Sequence, residues 1–126
     1  MRKIIHTEDA PAAVGAYSQG VETEGLVFTA GQIPLTPEGD LLDGAAIDVQ
    51  TEQALENVEA VLAEAGLGMD DVVKVTVYLD DIDDFEQMNA VYETFFDEDE
   101  PPARSAFAVD ELPKGVGVEV EAVATK

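Results

Sequence analysis

Apolar residues recur along this chain at two periods. After Asp48 the positions Ala54, Leu55, Val58, Val61, Leu62 and Ala65 fall three and four residues apart, the spacing of one stripe of a helix, with Asp48 as the expected N-cap and Gly66 as the C-terminal stop. A second stripe, Phe85, Met88, Tyr92 and Phe95 or Phe96, begins behind Asp84, again an expected cap, and is closed by Asp97-Glu98-Asp99-Glu100-Pro101-Pro102. Elsewhere the period is two. The β-branched run Val72 to Leu79 alternates from Val73 onward, as a strand with one face in a core does. Val21 to Glu24 and Leu26 to Ile33 flank Gly25 as a hairpin; the second strand is apolar enough to be buried on both faces, and Pro34, Pro37 and Gly39 end it. Ala103 to Val109 and Val116 to Ala124 read as two more strands, joined through Pro113 and Gly115, and Arg2 to His6 as a short extra one. The order β-β-α-β-α-β-β predicts a single α+β domain over residues 1–126, one sheet with both helices on one face. No third helix exists to cover the other face, which predicts self-association.

The chain carries 28 acidic and 6 basic residues in 126, a net charge of −22. The whole basic inventory is Arg2, Lys3, Lys74, Arg104, Lys114 and Lys126, with none of the clustering that phosphate backbones or anionic lipid require, so neither nucleic acid nor membrane is an expected partner. Concentrated salt relieves such self-repulsion by shortening the Debye length to about 3 Å at 1 M, and the expected source is a halophile with a salt-filled cytoplasm. No apolar run reaches the length of a signal-peptide core or a membrane span, so a cytoplasmic location is expected.

Several kinds of chemistry drop out. Cysteine is absent and His6 is the only histidine, which removes thiolate nucleophiles and His- or Cys-rich metal sites. Gly66-Leu67-Gly68 and Gly115-Val116-Gly117 both lack the third glycine of a dinucleotide loop. Ala16-Tyr17-Ser18-Gln19-Gly20 falls short of a nucleophile elbow, and the run Asp80 to Asp84 lacks the spacing of a calcium loop. What remains is Arg104, an interior arginine at the head of an apolar strand. Its guanidinium fork fits a small carboxylate bidentately, or it forms a structural ion pair with one of the acids. Glu119 and Glu121 share one face of their strand; a carboxylate beside a buried arginine can hold or deprotonate a water, and the alternative is a pair of solvated acids on an edge strand. Tyr17 reads as a cleft residue or a core aromatic, Asn89 as a site residue or a neighbour of the helix stripe, Gly31 as a ligand contact or a bulge.

Taken together, Ala10 to Gly20, Thr29-Ala30-Gly31-Gln32-Ile33-Pro34, Asn57-Val58, Val73 to Leu79, Asn89 to Phe96, Pro102-Ala103-Arg104-Ser105 and Leu112-Pro113-Lys114 with Glu119 to Ala122 resemble the RidA (YjgF) family over nearly the whole chain. The resemblance implies a chorismate-mutase-like fold assembled as a homotrimer around a central barrel, with ligand sites in the clefts between subunits. It implies hydrolysis of reactive enamines and imines (2-aminoacrylate, 2-iminobutanoate, 2-iminopropanoate) to 2-oxo acids and ammonia, without cofactor or metal; a non-catalytic trimer that binds small carboxylates is the alternative. By position it makes Arg104 the clamp on the substrate carboxylate and Glu119 the holder of the attacking water. Tyr17 then lines the cleft, Gly31 offers backbone against the ligand, and Asn89 belongs to the site. Many members carry Ser at the position of Ala30 and Cys at that of Ala106, so a hydroxyl and a thiol are missing, and around Ala106 the backbone groups are left to contact substrate.

Overall fold

A computed structural model describes residues 1–126. Six strands, β1 (Arg2–Ile5), β2 (Gly20–Thr23), β3 (Leu26–Thr29), β4 (Val72–Leu79), β5 (Ala103–Ala108) and β6 (Val118–Thr125), and two helices, α1 (Ile47–Glu64) and α2 (Phe85–Tyr92), follow the expected order. The strands lie β1-β2-β3-β6-β4-β5 in one sheet, antiparallel throughout except for β4 and β5, which run parallel because α2 crosses between them. No helix is long and apolar enough to cross a membrane.

The core fills the space between one face of the sheet and the helices. Leu55, Val58, Val61 and Leu62 of α1 and Met88 of α2 meet Val27, Val75, Val77, Leu79, Val118 and Val120 there. Each such side chain, withdrawn from water, stabilises the fold by roughly 1.5–3 kcal/mol before ordering costs. The opposite face is uncovered in the single chain. Leu26 and Phe28 of β3 are 37% and 42% exposed on it, together with Ile4 and Phe107. The prediction that this strand is buried on both faces therefore fails within one protomer, where β3 alternates between buried and exposed residues. Glu119 and Glu121 do share a face, the open one, yet their strand β6 sits between β3 and β4 and is no edge.

Local chemistry sets the element ends. The hairpin turns through Glu24 and Gly25, both at positive φ (53° and 80°), the backbone a two-residue turn between twisted strands requires. Gly66 (φ 80°) closes α1, its N–H donating to the Ala63 carbonyl and that of Leu67 to the Leu62 carbonyl, both at 2.9 Å. Asp48 is not the cap. The helix begins one residue earlier, at buried Ile47, whose carbonyl accepts the Thr51 hydroxyl at 2.7 Å; Asp48 stands in the first turn, where its charge suits the helix dipole. Asp84 occupies the N-cap position of α2 without capping it by a side-chain bond, because a short turn precedes it and Asp81 accepts the Asp83 N–H at 2.9 Å instead.

Candidate active site

Beyond Thr29 the ladder between β3 and β6 slips by one residue. Thr29 takes the Ala122 N–H on its hydroxyl (3.0 Å), and regular pairing resumes only with reciprocal bonds between Gln32 and Val120 at 2.7 and 2.9 Å. Between those points Ala30 and Gly31 oppose the single residue Glu121, which makes a β-bulge. This is why the strand stops at Thr29 rather than reaching Ile33. The bulge presses Gly31 against Glu119: a Cβ at position 31 would lie 1.9 Å from the Glu119 Oε2, so only glycine leaves room for that carboxylate.

Glu119 opens into a cleft of about 600 Å³ whose wall includes Tyr17, Gly31, Lys114, Val14 and Ile33. Burial first, and then the nearby charge of Glu121, push the Glu119 carboxyl above its ordinary pKa. Glu121 is engaged elsewhere, accepting the Tyr78 hydroxyl at 2.7 Å, a bond that drives the tyrosine up to about 12. Tyr17 is 53% exposed and so is no core aromatic; its hydroxyl accepts the Val14 N–H at 3.4 Å. Lys114 stands in a left-handed conformation (φ 57°) on the rim.

Buried amides hold this cleft in shape. Gln19 accepts the Thr7 N–H at 2.8 Å and donates to the carbonyls of Thr7 and Pro11 at 3.0 and 2.8 Å, which pins the N-terminal wall. From α1, Asn57 donates to the Ile33 and Leu35 carbonyls at 3.1 and 2.8 Å and fixes the wall behind Gly31. Nothing in composition or periodicity marks Gln19 or Asn57 as site-building. Gln19 stands among small residues, and Asn57, between Glu56 and Val58, reads as one more polar position of a helix.

Arg104 lies elsewhere. On β5 it pairs with Val75 and so points to the helix face, into a second cleft of about 440 Å³ beside Pro101 and Pro102. Its Nη1 donates to the Asn89 Oδ1 at 2.5 Å, and its guanidinium lies 4.6 Å from the Tyr92 ring centroid and 5.4 Å from that of Phe85. It joins no ion pair; the one salt bridge in the molecule is Lys126 to Glu22 at 3.4 Å. Ala106, two residues on, shares its face and packs on the core. Thus the chain brings Tyr17, Gly31 and Glu119 together, and Arg104 with Asn89, but on opposite faces of the sheet. Glu119 does not stand beside Arg104 within one chain, because β4 separates their strands and their side chains leave the pleat in opposite directions. No three His, Asp or Glu side chains converge as a metal site would need.

The family described as Endoribonuclease L-PSP matches residues 7–126. A RutC family protein of Pyrococcus abyssi is 48% identical over 126 residues, covering 99% of this chain and 98% of its own. TdcF of Escherichia coli, named for reactive intermediate deaminase activity, is 44% identical over 128 residues, covering 100% of this chain and 98% of its own. Its crystal structure with bound serine superposes with a TM-score of 0.91 at 45% identity over 98% of each chain. YyfA of Yersinia pestis, a Rid family protein of unknown function, superposes with a TM-score of 0.96 at 40% identity over 100% of both chains.

Proposed function

Since the chain belongs to the Endoribonuclease L-PSP family, that of the YjgF and RidA proteins, we propose that it hydrolyses reactive 2-imino acids to 2-oxo acids and ammonia, at sites completed between the subunits of a homotrimer. The observation that carries this reading is the pair of half-sites. One cleft holds a cation that no acid neutralises, and the other holds a partly buried carboxylate with a raised pKa. An uncovered sheet face on the Glu119 side is the surface on which a second copy would bring its own Arg104 to that carboxylate.

In the joined site the Arg104 fork takes the substrate carboxylate, which sets the adjacent C=N carbon beside the water on Glu119. The imine nitrogen enters protonated, and Glu119 accepts a proton as the water oxygen bonds to that carbon, giving a tetrahedral amino alcohol. Glu119 then returns the proton to nitrogen; as the C–N bond breaks, its electron pair leaves on ammonia and the hydroxyl proton passes to Glu119, which leaves a C=O. An enamine such as 2-aminoacrylate enters after tautomerising to its imine. Tyr17 and Gly31 wall the reacting carbon, and Asn89 holds Arg104. No cofactor is called for. That serine, an amino acid of the same size class, binds TdcF supports a pocket for small carboxylates. Ribonuclease activity is disfavoured by the charge of −22, which repels a phosphate backbone.

The test generates 2-iminobutanoate from threonine with a dehydratase and follows its loss in molar KCl. The wild-type protein is expected to accelerate that loss. Glu119→Gln should lower turnover by a factor on the order of 10² or more while still binding 2-oxobutanoate. Arg104→Lys keeps the charge but loses the fork, and should lose 2-oxobutanoate affinity with assembly intact. Binding of 2-oxobutanoate by a wild-type protein that leaves the imine lifetime unchanged would establish the alternative, a trimeric carboxylate-binding regulator.

A further inference from the structure

Arg104 is oriented entirely by uncharged groups, in a molecule where acids outnumber bases 28 to 6. Glu93, Asp97 and Glu98 line the same cleft, so an acidic partner was within reach of the fold, yet none comes within ion-pair distance. The groups that do touch the guanidinium, Phe85, Asn89 and Tyr92, sit four and three residues apart and form one face of α2. An acid in their place would cancel the charge and occupy the donors. Two π faces and one amide oxygen fix the plane and leave both charge and most of the N–H donors unspent. Tyr92 is 5% exposed, and its hydroxyl is the one buried side-chain polar atom in the molecule without a partner, so what this residue supplies is the ring.

We propose that Phe85 and Tyr92 are positioning residues for Arg104: a cation–π socket on α2 that presets the guanidinium for a carboxylate without neutralising it. The socket rests on the reading of Arg104 as the carboxylate clamp, but its direct readout does not. In the ligand-free protein, the Arg104 Nε–H bond should be rigid by nitrogen-15 relaxation, with an order parameter near the ~0.85 of ordered backbone, and should fall below about 0.6 in Tyr92→Leu. On 2-iminobutanoate, Tyr92→Leu should raise KM about tenfold with kcat changed by less than about threefold, the split expected when binding common to ground and transition state is lost. Phe85→Leu, at the longer distance and at a less buried position, should do the same by about threefold, and it carries the test if Tyr92→Leu fails to fold. Tyr92→Phe keeps the ring and discards only the orphaned hydroxyl, so it should restore both the order parameter and KM. A rigid Arg104 with wild-type KM in folded Tyr92→Leu would overturn the proposal. So would a Tyr92→Phe as impaired as Tyr92→Leu, since the hydroxyl would then be the active part. If the protein does not hydrolyse imines at all, the hydrolytic reading fails alone, and the order parameters with the Kd of 2-oxobutanoate still decide the socket.

Discussion

Gly31 and Glu119 act as one unit, since the missing side chain of the first is the space occupied by the carboxylate of the second. The atom a new Cβ would strike is the far end of a flexible side chain, so Gly31→Ala should fold and should swing Glu119 out of line; a displacement of about 1 Å at a reacting group costs on the order of 10² in rate. Steady-state kinetics beside an unchanged circular dichroism melt would check it. The raised pKa of Glu119 has two further consequences. As a base it works only ionised, so the rate should fall on acidification from a pH above the usual carboxylate range. For stability the sign runs the other way. A group that holds its proton more tightly folded than unfolded contributes stability at low pH and loses it as pH rises through the folded value, so at pH 7 the charged carboxylate is a cost. Glu119→Gln should therefore melt higher than wild type at pH 7, with the gap closing toward pH 4, as calorimetry at both values would show. At this scale scarcity and residue type are what single out Arg104 and Glu119 as candidates. Their separation was not legible, because β5 carries small residues on both faces and nothing in Ala103 to Ala108 says which face turns inward.

Among the elements, α1 does more than cover the sheet, since Asn57 reaches from it to the carbonyls of Ile33 and Leu35. Asn57→Ala leaves the Leu35 carbonyl unpaired, while that of Ile33 keeps the Leu35 N–H at 2.7 Å, and should cost about 1–2 kcal/mol, seen as a lower urea midpoint at constant slope. It should also loosen the wall of the Glu119 cleft. Both helices, the hairpin and β4 could be read from apolar spacing, because each buries one stripe or one face against a single core. The end of β3 could not: Leu26 to Ile33 is apolar throughout, and a one-residue slip against β6 leaves no mark in hydropathy. Asp48 misled for a similar reason, as burial of Ile47 outweighed a favourable capping residue one position later.

For the whole molecule the dominant fact is that 28 acids share a single ion pair. Self-repulsion on that scale should make the melting temperature climb steeply between 0.1 and about 2 M KCl, as the screening length drops from about 10 Å to below 3 Å. Sedimentation over the same range should show three chains together in high salt and dissociation in low salt, where activity should vanish with assembly. The apolar face that predicts this association could be read from the count of helices against sheet faces. The placement of Arg104 and Glu119 on opposite faces of one sheet carries a genetic corollary. Two proteins, each dead through a different lesion, should rescue one another. When Arg104→Ala and Glu119→Gln chains are refolded together in equal amounts, a site drawing its arginine from one copy and its glutamate from the next finds both intact about one time in four. The mixture should recover about a quarter of wild-type activity from two silent parents, as two alleles complement within one oligomer.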